Sequence, residues 1–237
     1  MAKRHSAKEL VKVLLVGFLI ACGLLGYSMY LDKSIANIYL LLNVGLAAIP
    51  LFIAWRLMVV LRKKLWSAWE PLALTFLWLL FLPNSFYMVS DFAHIQEMSS
   101  PTTIFFDSIV YSAFIFLGMI MGLASLYLVH RELKRRLRDM TAWLIVLVVL
   151  LVASFAFYLG RDLRWNSWSV FTDPGGLLFD ISAVLINRSD YGVLIQTVIG
   201  FFAFVASIYW ICWTLAQQIW LKGAADMVAH IKRRQAS

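Results

Sequence analysis

The chain has 237 residues, 62% of them hydrophobic and only 14% charged, where an average soluble domain carries about 25% charged residues. That much apolar surface excludes an ordinary water-soluble fold. A net charge of +8 does not mark a nucleic-acid binder either, because the positive charge is spread over short segments beside long apolar runs, with no binding fold between them.

A bilayer core about 30 Å thick takes roughly 20 apolar residues of helix at about 1.5 Å of rise each. Runs of that length are predicted at about 10–30, 35–61, 69–89, 103–129, 140–160 and 193–213. The expected fold is all-α: a polytopic helical bundle with six transmembrane helices in a single membrane domain covering 1–237. Orientation follows from the basic residues, since cytoplasmic loops hold the excess of Lys and Arg. The amino-terminal segment (Lys3 to Lys12), the Arg62-Lys63-Lys64 turn, the Arg131 to Arg138 loop and the carboxy-terminal tail (Lys222 to Arg234) hold 16 of the 21. Both termini are therefore expected in the cytoplasm, with anionic lipid as the partner of these loops and no nucleic acid. Arg56, inside the second run, is expected to reach the same interface along its aliphatic stem.

In the first run, Leu19-Ile20-Ala21-Cys22 follows a basic start and has the look of a lipoprotein cleavage and lipidation site. The apolar stretch continues to Tyr30 and completes a span, which favours an uncut helix. Cys22 and Cys212 both fall in apolar runs, where a thiol behaves as a small hydrophobe, so no disulfide framework is implied.

In the third run, Leu82-Pro83-Asn84 is expected to interrupt the span. Beyond it Asn84, Tyr87, Asp91 and His94 recur at helical spacing, within an arc of about 80° if a helix continues. The plainer account is that Pro83 ends the span and Asn84 or Ser85 caps a short surface helix. In the fourth run Asp107, Tyr111, Gly118, Gly122 and Ser125 share an arc of about 60°. Small residues in membrane helices line contacts with neighbouring helices, so Asp107 should point into the bundle. A carboxylate there needs a cation or several donors, because an unpaired buried charge is costly.

After the fifth run, Gly160-Arg161-Asp162-Leu163-Arg164-Trp165-Asn166-Ser167-Trp168 places two arginines on the side otherwise poor in positive charge. Ser154, Tyr158 and Arg161 share a helical face, which would align Arg161 with the polar ends of the third and fourth spans. Its fork suits a carboxylate or a phosphate equally. The outer loop, 161–192, also contains the apolar piece 177–186, interrupted by Asp180 and too short to cross, expected to lie in the interface or to dip in and return. Trp66, Trp69, Trp165, Trp168 and Trp220 fit an interfacial belt. No internal repeat is visible.

Leu82-Pro83-Asn84-x-x-Tyr87-x-x-x-Asp91-x-x-His94, then Phe106-Asp107 with Gly118 and Gly122, then Tyr158-Leu159-Gly160-Arg161-x-x-Arg164-x-Asn166-Ser167-Trp168 together resemble the uncharacterised bacterial membrane-protein family called domain of unknown function 1361. The resemblance runs from the third to the sixth span, the first two matching only in hydropathy; Asp162 and Ser169 depart from the expected pattern. It implies a multi-pass protein of the bacterial cytoplasmic membrane, and it implies no activity and no cofactor.

Two functional classes follow. One is an enzyme or binding protein for a lipid or lipid-linked anion at the outer leaflet. In it Arg161 and Arg164 hold the phosphate, Asp91 and His94 act as an acid/base pair, and Asn84, Tyr87, Asp107 and Asn166 complete the substrate-binding set. No G-x-S-x-G, H-E-x-x-H or phosphate-binding glycine loop supports a specific reaction, and Asp91, His94 and Glu97 lack tetrahedral ligand spacing, so no metal is expected. The other class is an accessory subunit or a small-solute or ion carrier, acting as a homo-oligomer or with a membrane-protein partner, whose polar cluster is a packing clamp or a permeation element.

Overall fold

In the computed structural model, residues 2–94, 103–165, 167–186 and 188–235 are described, with the side chains of 2–8, 10, 36, 93, 94, 188–190 and 219–235 left aside. The longer helices are α1 (Ala2–Asp32), α2 (Tyr39–Val60), α3 (Trp69–Tyr87), α4 (Ile104–Arg136), α5 (Asp139–Asp162), α6 (Pro174–Ile186) and α7 (Arg188–Gln235), with a single helical turn at Ser169–Thr172 before α6. Short 3-10 helices at Ala36–Ile38 and Met88–His94 precede α2 and extend α3. All but α6 are long and apolar enough to cross a membrane, and no strand occurs among the described residues. α1 runs unbroken past Cys22. Six crossings bring the chain back to its starting side, so the start of α1, the ends of α2 and α4 and the far part of α7 gather at one end, where Val11, Trp55, Arg131 and Ala216 line a common groove.

α4 is the central helix: 67% of its apolar span is buried, against 17% for α1 and 22% for the last span. Lipid tails are as apolar as leucine, so association within the bilayer depends on close packing and polar contacts more than on water exclusion. α4 supplies that closeness through glycine. A Cβ at Gly118 would stand 3.0 Å from the Ser85 carbonyl oxygen, and one at Gly122 would stand 2.7 Å from Ser85 Cβ and 2.8 Å from Phe86 Cε1. The last turn of α3 thus lies directly against the α4 backbone, and Trp78 reaches across the same seam to donate to the Ser125 hydroxyl (3.2 Å).

The sequence expectation for Pro83 is corrected here. The proline lies inside α3, which continues to Tyr87 without a break. Proline removes one backbone donor, and in membrane helices that loss is tolerated where neighbouring helices and polar side chains re-satisfy the backbone. After Tyr87 the backbone tightens to 3-10 pitch. Each 3-10 residue advances about 120° instead of 100°, so four of them turn Asp91 about 80° away from the direction an α-helix would give it. Asn84, Tyr87 and Asp91 therefore do not share the expected face.

Candidate functional site

Three chain breaks set up the end opposite the termini. α1 stops in a Schellman-type cap, with Lys33 left-handed (φ 51°) and the Ser34 amide on the Met29 carbonyl (3.3 Å), which leaves Asp32 as the last helical residue. α5 stops where Arg164 turns left-handed (φ 59°) and the Trp165 amide folds back to the Leu159 carbonyl (3.1 Å). The Trp165 indole then donates to Asp180 of α6 (2.9 Å), so the acid that interrupts the short apolar helix ties it to the end of α5. α4 starts at Ile104, with Asp107 in its first turn, where the aligned peptide dipoles favour negative charge.

Around these breaks the polar side chains fall into two groups. The first lies between α1, α2 and α4. Asp107 is fully buried and its Oδ1 accepts from Ser28 (2.6 Å). One turn away, Thr103 donates to Asp32 Oδ1 (2.7 Å). The Tyr39 hydroxyl donates to that of Tyr111 (3.0 Å), which donates to Asn37 Oδ1 (2.9 Å). Asn43 donates to Asp91 Oδ2 (3.0 Å), and Asp91 is 3% exposed. Two buried carboxylate oxygens, Asp32 Oδ2 and Asp107 Oδ2, have no hydrogen-bond partner.

The second group lies where α3 meets the end of α5. Asn84 donates to Ser167 (3.0 Å), and the Tyr87 hydroxyl donates to the Gly160 carbonyl (3.1 Å). Gly160 permits this approach, since a Cβ there would stand 2.9 Å from the Tyr87 ring. Beside the seam, Arg161 lines a cleft of about 410 Å3 with Ser90, Gln196 and Thr197, walled by Phe157, Phe201 and other apolar side chains. Arg161 and Arg164 are exposed, and among the described residues no ion pair joins either to Asp91 or Asp107. Of the two partners that the Arg161 fork suits, the carboxylate is therefore not seen there. Pitch explains it: the 3-10 turn points Asp91 toward Asn43 of α2, while Asp107 faces Ser28 of α1, and α5 stands on the other side of α3. The Tyr87 hydroxyl lies within electrostatic reach of both Asp91 and Arg161.

His94 closes the second 3-10 helix, but its side chain is among those left aside, and Asn166 and Glu97 lie outside the described residues. No group of three or more His, Cys, Asp or Glu side chains poised for a metal occurs among the described residues. Ser28, Asp32, Asn37, Tyr39 and Asn43 were not singled out from the sequence. A signal existed: an amide such as Asn43 within an otherwise apolar span is costly unless it has a polar partner.

The family described as Protein of unknown function (DUF1361) matches residues 42–212. The chain belongs to this family. The DUF1361 match begins within α2, earlier than the motifs that carry the resemblance in sequence, and it takes in Asn43 as well as the Asn84, Asp107 and Arg161 segments. No curated protein and no solved structure matches the chain.

A third polar feature of this family member lies near the other end. His130 is fully buried, with Nδ1 at 2.7 Å from the Tyr209 hydroxyl and Nε2 without a partner. Its ring is stacked on Trp213 (4.0 Å between centroids) and edge-on to Trp143 (4.6 Å). This box joins α4, α5 and α7. An imidazole hydrogen-bonded at one nitrogen and stacked among aromatic rings serves as a packing element between the three helices.

Proposed function

We propose that this protein binds an anionic lipid, or a lipid-linked anion, in the outer leaflet of a bacterial cytoplasmic membrane, with both termini in the cytoplasm. The observation that carries the reading is Arg161: an exposed guanidinium at a cleft whose remaining walls are a few polar side chains and a run of phenyl rings. Such a cleft matches a lipid, with a charged head beside the cation and an apolar chain against Phe157 and Phe201. Arg164, three residues on, supplies a second cation to the same end. Asn84 and Tyr87 serve as positioning residues, holding the Gly160–Ser167 segment that carries the arginines. The orientation rests on the positive charge of the terminal end. Binding is the function proposed; Asp91 is bound by Asn43 on the far side of α3 and is not assigned a step at the cleft.

The test is mass spectrometry of lipids retained by the purified protein. Anionic lipid should be enriched over the bulk membrane, and Arg161→Ala should reduce that enrichment about tenfold, the scale of one charge-assisted hydrogen bond. Arg56→Ala, at the terminal end, should leave it unchanged. Enrichment that survives Arg161→Ala would defeat the reading.

A further inference from the structure

The Arg161 cleft holds polar groups that a bare phosphate would leave unmatched. Its wall on α7 carries Gln196, Thr197 and Gly200 on one helical stripe with Phe201 and Phe204, and α5 contributes Phe157 and Arg161. Gln196 lies more than one turn inside the last span, Tyr191–Gln218. At that depth the surroundings are lipid chains and protein, and an amide without a polar partner is costly. Among the described residues, no hydrogen bond engages the Gln196 amide or the Thr197 hydroxyl. The Ser90 hydroxyl, also on the cleft, already donates to the Tyr87 carbonyl (2.6 Å). Hydrogen-bond sense decides what can match the two α7 groups. A guanidinium only donates and an ionised phosphodiester only accepts, so Arg161 and a phosphate satisfy each other. The Gln196 carbonyl and the Thr197 oxygen accept, and they call for a ligand that also donates.

We infer that the ligand of the Arg161 cleft is a phosphodiester lipid whose head carries free hydroxyl groups, as a glycerol head does, and that Gln196 is the residue that selects it. The inference rests on the lipid-binding reading of the cleft and narrows its ligand. The phosphate meets Arg161, the head hydroxyls reach Gln196 and Thr197, and a chain runs past Phe157 and Phe201. A hydroxyl both donates and accepts, so it satisfies an amide at either of its ends, which neither a bare phosphate nor an ammonium does. An ammonium head would also stand beside Arg161 with no carboxylate among the lining residues to neutralise it. Room for the ligand exists on α7, where a Cβ at Gly200 would meet nothing within 4 Å.

The decisive measurement is a competition between two dioleoyl lipids, phosphatidylglycerol and phosphatidylmethanol, for the purified protein in neutral detergent, read by native mass spectrometry as the ratio bound. Both are phosphodiesters with a single negative charge, and only the first has head hydroxyls. The parent should favour phosphatidylglycerol about fivefold, the scale of one neutral hydrogen bond. Gln196→Leu should bring the ratio near unity, whereas Gln218→Leu, at the terminal end of the same helix, should leave it as in the parent. Equal binding by the parent would overturn the inference without any variant and would leave the cleft as an unselective anion site. A preference that survives Gln196→Leu would overturn the role given to Gln196. The cleft itself is tested separately: Gly200→Leu, which fills open space on its wall, and Arg161→Ala should each lower the binding of both lipids. If neither does, the lipid-binding reading fails, and not only the choice of head. Glycerophosphoglycerol, the same head without chains, should not displace the lipid at matched concentration; displacement would make the ligand a water-borne anion and overturn the inference.

Discussion

The two ends of this bundle neutralise their acids by different means. At the terminal end, carboxylates meet cations: Glu70 lies 2.6 Å from Lys64 and 3.2 Å from Arg56, Glu132 pairs with Arg135 and Arg136, and Asp139 with Lys134. Those groups are partly exposed, and their cations double as covers for aromatic rings, with Lys134 over Trp213 and Arg136 over Trp66. At the opposite end, buried Asp91 and Asp107 receive an amide and a hydroxyl, while Arg161 and Arg164 stay at the surface. Surface pairs contribute little and are screened by salt, whereas a buried carboxylate with neutral donors stakes more free energy on each bond. Function is expected at the end where Arg161 and Arg164 stay at the surface.

The sharpest way to separate the ends is to disturb the seam that positions only one of them. Gly122→Val would place a side chain within the present position of Ser85 Cβ and Phe86, so α3 must shift. Overpacking of this kind costs about 1–3 kcal/mol. Because Asp91 rides on the 3-10 extension of α3, its bond to Asn43 should be disrupted with it. Equilibrium unfolding in mixed micelles measures the stability loss, and cysteine cross-linking between residues 43 and 91 measures the displacement. A stable variant with an intact 43–91 cross-link would show that glycine packing does not set the polar end.

A smaller effect is expected at Asn43 itself. Asn43→Leu keeps the branching and number of side-chain heavy atoms and removes the amide that Asp91 accepts from; in membrane proteins such a bond is worth about 0.6 kcal/mol, rarely more than about 1.7. A double-mutant cycle with Asp91→Asn isolates the term. A coupling near zero would mean that Asp91 is held by its other contacts and that Asn43 only fills space.

Much of the architecture was legible because membrane burial writes itself in long apolar runs. The direction of Asp107 was readable too, since Gly118 and Gly122 mark the packed face of α4 and Asp107 lies on the same stripe. The partnerships were not. Pro83 read as a break because a proline's lost donor is visible in sequence, while the neighbouring helix that tolerates it is not. The switch to 3-10 pitch after Tyr87 has no residue signature, yet it alone sends Asp91 to α2 and away from Arg161. Ser28 and Asp32 went unremarked because hydroxyls and terminal acids are ordinary on a span near an interface; what singles them out is the helix they face.

The smallest effect belongs to the terminal end. Glu70 interacts with Lys64 and Arg56, and its side chain retains 23% of its exposure. The three residues come from α2, the turn after it and the start of α3, segments already held by the Trp66 indole donating to Thr75 (3.0 Å) and by Arg136 donating to the Leu61 carbonyl (3.1 Å). Exposed pairs of this kind yield little free energy, because solvent screens the attraction and two long side chains must be ordered to make it. Glu70→Gln should therefore shift the unfolding equilibrium only slightly in low salt. In about 1 M salt, where the screening length falls to about 3 Å, the parent and the variant should unfold together. A large loss that persists at high salt would place Glu70 among groups whose pairing is structural, and the contrast between the two ends would have to be redrawn around burial alone, with the sign of the partner no longer mattering.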